Sequence, residues 1–226
     1  MAAFATAPGA IAPFSGAAPG GALPAGWEAV ALPRIRRPEV ALVDDAGTTV
    51  LRIDAADAAG SVAHRLSADP ARRPRLAWRW KVDRVVAGAD LARREGDDYA
   101  ARVYVTFDMP EDALSLGDRV RIRLARILYG TELPTAALCY VWESRAAIGT
   151  TAWNAYSSRV RMVVLRNGAE GVGQWASEAR DVASDFRAAF GAPAPAISGV
   201  ALSADTDQTH ERVTAWFGDL RLEGER

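Results

Sequence analysis

The segment RLAWRWKV, residues 75–82, decides the fold class, because its apolar and charged side chains alternate with a period of two. In an extended chain, alternate side chains leave opposite faces. One face of this segment therefore carries Leu76, Trp78, Trp80 and Val82. The other face is largely basic, so the pattern predicts a half-buried strand with one side against a core.

The same alternation recurs along the chain, in residues 103–107, 138–142 and 160–164. Further candidate strands cover residues 27–32, 40–44, 50–54, 61–66, 197–203 and 213–222. Short strands separated by Gly, Pro and Asp turns are typical of two-layer β folds. A parallel α/β sheet would need long helices between its strands, and the sequence has none. We predict an all-β fold with minor helices: a jelly-roll or galactose-binding-like β-sandwich with two short helices.

The first of these helices is predicted over residues 120–128, with Asp118 as N-cap and Gly130 as its end. Ile122 does not fit the apolar stripe of that helix, so a strand remains the alternative there. The second helix is predicted over residues 182–190. Asp181 caps its start, Gly191 ends it, and the proline at position 193 prevents extension.

The chain of 226 residues is long enough for one domain with a well-buried core. We predict a single β-sandwich domain over residues 25–226, preceded by a flexible or extended lead-in over residues 1–24. The first 32 residues contain no Lys or Arg, so they lack the positive region of a signal peptide. They resemble the start of a mature exported protein, which predicts a periplasmic or extracellular location. No apolar run reaches transmembrane length.

The charges nearly cancel, with 27 basic and 28 acidic residues and a formal net charge of −1. A sequence-independent nucleic-acid binder needs a marked basic excess, so this class of partner is excluded. The one cysteine, Cys139, lies in an apolar run, and the only histidines are His64 and His210. A catalytic thiol needs a nearby base, so Cys139 is predicted to be a buried structural residue.

The densest polar motif is the turn DTDQT, residues 205–209, which lies between two predicted strands. Its hard oxygen ligands at alternate positions suit Ca²⁺, and Asp219 follows in the last strand-like run. We predict Asp205, Asp207 and Asp219 as ligands of a structural calcium ion, and Thr209 as a ligand-binding neighbour. The alternative is a local turn in which the Asp and Thr side chains bond backbone N–H groups.

A second polar group begins at Asp98 and continues into the strand that carries Arg102 and Tyr104. These two side chains are expected on the strand face opposite its apolar residues, projecting from one sheet surface. Glu143 and Arg161 lie in other predicted strands and are expected to converge there. Such a group could bind a polysaccharide or another polar ligand, whereas cross-strand ion pairs on an exposed sheet are the alternative.

Aromatic side chains extend this prediction, because an aromatic ring packs well on the apolar face of a sugar. Trp78, Trp80 and Trp142 lie on the apolar sides of their strands and are predicted to be core residues. Trp153 lies in the loop-like stretch of residues 150–156 beside amides and hydroxyls. It is therefore the tryptophan predicted to contact a ligand.

The chain resembles a bacterial family known as domain of unknown function three-zero-four-seven (DUF3047). The motifs that carry the resemblance are LPAGW at 23–27, WRWKV at 78–82, GDDYAAR at 96–102, YVW at 140–142, DTDQT at 205–209 and GDL at 218–220. Gln208 stands where the family pattern has Asn, and Trp216 and Phe217 stand where tyrosines are expected. The resemblance implies an exported bacterial protein with a β-sandwich like those of carbohydrate-binding modules. The family carries no assigned activity, so no catalytic residue is implied.

Three functions remain open on this evidence. The leading hypothesis is a non-catalytic module of the bacterial cell envelope that binds a carbohydrate or another polar ligand. The second is a glycan hydrolase or lyase, which would use two of the carboxylates of Glu143, Glu178, Asp98 and Asp207. The third is a structural or protein-interaction module.

Overall fold

The computed structural model describes residues 10–110 and 135–224, and within them the chain is built from short strands. The strands are β1 Trp27–Ala31, β2 Glu39–Asp45, β3 Thr48–Ala56, β4 Gly60–Ala68, β5 Arg75–Val82, β6 Ala101–Phe107, β7 Ala136–Glu143, β8 Thr151–Asn154, β9 Ser157–Asn167, β10 Ala176–Asp181, β11 Ile197–Ser203, β12 Arg212–Phe217 and β13 Arg221–Glu223. The helix α1 spans Val182–Phe190, and single 3-10 turns occur at Phe14–Gly16 and Arg94–Gly96.

These strands form two sheets. The long sheet has the order β1-β4-β11-β6-β7-β9-β8, and the short sheet has the order β10-β5-β12-β3-β2, with β13 also paired to β5. Neighbouring strands are antiparallel except for β7 and β9, which are parallel. The predicted all-β fold, a β-sandwich with minor helices, is confirmed.

Aromatic side chains from the two sheets meet in the core. The ring of Trp78 on the short sheet lies 5.3 Å from that of Tyr140 on the long sheet. The rings of Trp80 and Trp142 lie 6.0 Å apart across the same layer. All four side chains are buried, so the prediction that Trp78, Trp80 and Trp142 are core residues is confirmed. Cys139 is also buried, as predicted.

The helix α1 has the predicted bounds because both of its ends are encoded locally. The carboxylate of Asp181 accepts a hydrogen bond from the backbone N–H of Ser184 at 2.8 Å. Gly191 ends the helix in the left-handed region at φ +70°. The buried face of α1 carries Phe186, whose ring lies 4.6 Å from that of Phe107. The helix predicted over residues 120–128 lies outside the described residues.

Replacing Asp181 with alanine is expected to lower the free energy of unfolding by about 1 kcal/mol, because an N–H at the start of α1 loses its acceptor. Urea unfolding followed by circular dichroism measures this loss. Asp181→Asn is the control, since its amide oxygen still caps the helix. An alanine variant as stable as the parent would show that this cap is not used.

The segment predicted as a lead-in contacts the sandwich from Ile11 onward. Phe14 is fully buried, and its ring lies 4.7 Å from that of Trp27. The indole N–H of Trp27 donates to the backbone carbonyl of Ala12 at 2.8 Å. The hydroxyl of Ser15 donates to the carboxylate of Asp219 at 2.6 Å. These residues are therefore packed into the fold rather than loosely held.

The described segments contain no helix that is both long and apolar enough to cross a membrane.

Candidate functional site

The outer face of the long sheet holds the candidate site. Val103 pairs with Tyr140, whose ring meets the short sheet, so Val103 lies on the inner face of β6. Arg102 and Tyr104 therefore lie on the outer face, opposite the apolar residues, as the alternation predicts. The prediction that Arg102 projects from an exposed sheet surface is wrong, because its side chain is only 2% exposed. The loop before β6 and the turn after β11 both contact its side chain.

The guanidinium of Arg102 is held from several sides. Its Nε and Nη2 atoms bind the two carboxylate oxygens of Asp205, at 2.9 and 2.6 Å. Its Nη1 lies 3.2 Å from the hydroxyl of Tyr104 and 3.4 Å from the carboxylate of Asp97, and its Nη2 donates to the backbone carbonyl of Asp97. The centre of the Tyr99 ring lies 4.3 Å from the guanidinium carbon. Such a bidentate pair fixes Arg102 as a positioning element of the site.

Asp98 joins the loop before β6 to the turn after β11. Its Oδ2 accepts hydrogen bonds from the backbone N–H groups of Gln208 at 3.0 Å and Thr209 at 2.6 Å. The side chain is 0% exposed. Its second oxygen, Oδ1, is buried and has no hydrogen-bond partner in the part of the chain that the structure describes. One half of this carboxylate is therefore unsatisfied, which is unusual for a buried polar group.

Three carboxylates meet beside Arg102. Oxygens of Asp98, Asp205 and Asp207 all lie within 4.8 Å of one another, and we call these three residues the acidic cluster. Burial raises the pKa of Asp205 to about 7, with Arg102 opposing the rise and the charge of Asp98 adding to it. Burial also raises the pKa values of Asp98 and Asp207. Burial is the largest cause of all three rises, and the charge of Arg102 opposes each of them.

Tyr156 lies in the turn between β8 and β9 and was not predicted from the sequence as a site residue. Asn154 links this turn to Asp97: its amide donates to both carboxylate oxygens of Asp97 at 3.0 Å, and its oxygen accepts from the backbone N–H of Tyr156 at 3.0 Å. Partial burial and the charges of Asp97 and Asp207 raise the pKa of Tyr156. The side chain is 51% exposed. Its hydroxyl donates to the backbone carbonyl of Arg94 at 3.2 Å, and the guanidinium carbon of Arg94 lies 5.1 Å from the centre of its ring.

Trp153 and Arg161 do not join the acidic cluster. The stretch predicted as a loop forms the strand β8, so Trp153 and its neighbour Asn154 leave opposite faces. The Trp153 ring, 40% exposed, lies 5.4 Å from the ring of Phe190 and 5.0 Å from the guanidinium carbon of Arg161. Trp153 therefore borders α1, on the side of β8 away from Asp97.

Glu143 and Glu178 lie elsewhere, each with its own partners. The buried carboxylate of Glu143 accepts hydrogen bonds from the backbone N–H groups of Arg145 and Ala146, and so closes the turn after β7. The carboxylate of Glu178 accepts from Arg166 at 2.7 Å and from the indole N–H of Trp80 at 3.2 Å. Both contribute to the fold and neither reaches the acidic cluster.

The predicted calcium ligands are brought together only in part. Asp205 and Asp207 are close to each other. The carboxylate of Asp219, however, accepts hydrogen bonds from the backbone N–H and the hydroxyl of Ser15. Asp98 occupies the third place in the acidic cluster. Thr209 takes part through its backbone N–H, which binds Asp98. The contact between Asp98 and the turn was not predicted, because the two are more than 100 residues apart in the sequence.

A cavity of about 730 Å³ lies on the outer face of the short sheet. Its lining includes Arg75, Arg79 and Arg221 together with the carboxylates of Asp219 and Glu223. The Arg79 side chain is wedged against Gly218, where a Cβ atom would approach it to 2.6 Å. This cavity is a second polar surface, and a variant of its lining can serve as a control for variants near the acidic cluster.

The chain has similarities to known proteins in structure and in family. The chain is similar to the xyloglucanase domain of NopAA, a type three effector from Sinorhizobium fredii, solved in complex with cellobiose. The identity is 8% and the TM-score 0.44, over 88% of this chain and 93% of that one. A comparison with curated proteins returned no match.

A family model matches residues 25–221, which include every residue of the acidic cluster, Arg102 and Tyr156. The matched range contains the motifs that carry the resemblance, except for Leu23 and Pro24 of the first one. The chain therefore belongs to the family described as "Protein of unknown function (DUF3047)".

Proposed function

We propose that the protein is a non-catalytic carbohydrate-binding module of the bacterial cell envelope, with its glycan bound beside the acidic cluster. The observation that carries the proposal is the half-exposed ring of Tyr156, whose backbone N–H is bonded to Asn154, the residue whose amide donates to the carboxylate of Asp97. A sugar presents an apolar face that packs on an aromatic ring, and hydroxyls that need polar partners. Asp207 and the amide of Gln208, joined by a 2.6 Å hydrogen bond, supply an acceptor and a donor.

The state of Asp98 favours binding over hydrolysis. A glycan hydrolase needs two carboxyl groups that reach the glycosidic bond from its two sides. Asp98 and Asp207 are the only pair of the four predicted carboxylates that meet within the described residues. Asp98, however, is completely buried and anchors two backbone N–H groups. It supports the turn and offers no surface to a substrate.

The envelope location is part of the same proposal. It rests on the family resemblance, which implies an exported bacterial protein. Fractionation of the native host and immunodetection of the protein test it. Recovery in the periplasmic or extracellular fraction supports the location, and recovery in the cytoplasm contradicts it.

Replacing Tyr156 with alanine is expected to weaken glycan binding about tenfold or more, equivalent to about 1.4 kcal/mol of binding free energy. The intact protein is first applied to a glycan array, and its best ligand is then titrated calorimetrically. The side chain is half exposed, so the stability of the variant is expected to stay within about 0.5 kcal/mol of the parent.

Two matched variants locate the site. Trp153→Ala removes an aromatic ring from the opposite face of the same hairpin, and Arg79→Ala alters the cavity on the short sheet. Both are expected to bind the glycan as the parent does. Loss of binding in either variant, with normal binding by Tyr156→Ala, would contradict the proposed position. No array signal from the intact protein would contradict the function itself.

A further inference from the structure

We propose that the acidic cluster is a calcium site in which Asp98, Asp205 and Asp207 each supply a carboxylate oxygen. The inference goes beyond the proposed glycan binding and does not depend on it, because the ion is held by protein groups alone. It rests on the separation of the three carboxylates, on the unsatisfied oxygen of Asp98 and on the charge around Arg102.

The separations suit one cation. Oxygens of the three carboxylates lie within 4.8 Å of one another. Ca²⁺ binds oxygen ligands at about 2.3–2.6 Å, so two ligands of one ion are separated by at most about twice that distance. A single Ca²⁺ can therefore contact all three residues. The ligands come from both the loop before β6 and the turn after β11, so the ion would join two chain segments.

The buried oxygen of Asp98 is the second observation. Asp98 is 0% exposed, yet its Oδ1 finds no hydrogen-bond partner anywhere in residues 10–110 and 135–224. A buried polar atom without a partner loses its hydration and gains nothing in return. Oδ2 is held by the N–H groups of Gln208 and Thr209, which fixes the whole carboxylate. A cation bound at Oδ1 would supply the missing interaction, while Oδ2 keeps its two N–H partners.

The charge balance points the same way. Asp97 and the three residues of the acidic cluster surround a single buried cation, Arg102. Arg102 uses one lone pair on each oxygen of Asp205, and a carboxylate has about four such positions, so Asp205 can bind Arg102 and a metal together. These four carboxylates outnumber the one guanidinium, which leaves an excess of negative charge when they are ionised. A divalent cation compensates that excess.

The chemistry of the ligands selects the ion. All three donors are carboxylate oxygens, which suit hard cations such as Ca²⁺ and Mg²⁺ better than zinc or copper. Mg²⁺ requires near-ideal octahedral geometry at about 2.0–2.1 Å, whereas Ca²⁺ accepts irregular sites. Asp98 is fixed by two backbone groups and Asp205 by Arg102, so neither is free to adjust. Ca²⁺ is therefore the expected ion.

The test is calorimetric titration of the full chain with CaCl₂, after removal of divalent ions with EGTA and without any glycan. We expect one Ca²⁺ per protein, bound at or below about 1 mM, the range of extracellular calcium modules. Asp207→Asn is expected to weaken binding about tenfold or more, since it removes a charged ligand. Asp207 is only partly buried, so this variant should fold, and circular dichroism verifies that it does.

Asp219→Asn is the matched control, because this aspartate follows in the same stretch of sequence but is bonded to Ser15. It is expected to bind Ca²⁺ as the parent does. Absence of Ca²⁺ binding by the parent would overturn the proposal, as would undiminished binding by Asp207→Asn. Tighter binding of Mg²⁺ than of Ca²⁺ would overturn the choice of ion. Glycan binding is not measured in this experiment. A failure to bind Ca²⁺ would therefore not contradict the proposed glycan binding, which the glycan array tests separately.

Discussion

Replacing Arg102 with alanine is expected to lower the free energy of unfolding by about 3–5 kcal/mol, because a buried carboxylate is then left without its cation. Arg102 is 2% exposed and binds both oxygens of Asp205, whose side chain is only 13% exposed. Asp97 and Tyr104 lose hydrogen bonds to the same guanidinium. Chemical denaturation of the parent and the variant at pH 8, where Asp205 is largely ionised, measures the loss.

Two further variants show whether the loss comes from the unpaired charge. Arg161→Ala removes an arginine from β9 on the same sheet, but this side chain bonds Thr151 at an exposed position. Its effect is expected to stay within about 0.5 kcal/mol. The double variant Arg102→Met with Asp205→Leu removes both charges of the buried pair. It is expected to be more stable than Arg102→Ala, because apolar side chains of similar size can replace a buried ion pair. A loss below about 1 kcal/mol for Arg102→Ala would contradict the role of the pair.

The strands and α1 could be predicted because their signals are local. The alternation in residues 75–82 reports which side of β5 is buried without knowledge of the partner sheet. Asp181 and Gly191 mark the ends of α1 within a few residues of the helix itself. Such signals depend on backbone geometry and side-chain direction alone. These local signals therefore predict strands and helix ends correctly without knowledge of the sheet topology.

The candidate site could be predicted residue by residue, but its assembly could not. Asp205 reaches Arg102 because β11 pairs with β6 in a register that places Ser203 opposite Arg102. No periodicity in the sequence encodes this long-range register. The same limit explains why Asp219 was expected in the cluster and Asp98 was not, since closeness in sequence was the only available measure of closeness in space.

Tyr156 and Trp153 illustrate the limit at the scale of one hairpin. The sequence marks both as aromatic residues in a polar stretch. Only the strand β8, which was expected to be a loop, decides which face each neighbouring side chain occupies. Asn154 then points toward Asp97 and Trp153 toward Phe190. A single residue of register therefore separates Asn154, bonded to Asp97, from the Trp153 ring beside the helix.

The packing of the N-terminal segment also escaped prediction, for a different reason. Residues 10–24 are rich in Ala, Gly and Pro and have no period of two or 3.6 that would mark a buried face. Phe14 is the aromatic side chain in that stretch, and its burial depends on Trp27 and on the strands of the sandwich. An isolated anchor of this kind leaves no repeating signal in the sequence.

Replacing Phe14 with alanine is expected to lower the free energy of unfolding by about 3–5 kcal/mol, the range found for buried Phe-to-Ala changes. Phe14 is 0% exposed and packs on Trp27, whose indole N–H is bonded to Ala12 in the same segment. Loss of the ring therefore leaves a cavity and weakens the attachment of the segment to β1. Denaturation followed by tryptophan fluorescence measures the change. Phe14→Leu is the control, because it keeps much of the apolar volume and should cost well under half as much. An alanine variant within about 0.5 kcal/mol of the parent would show that residues 11–15 rest on the sandwich without stabilising it.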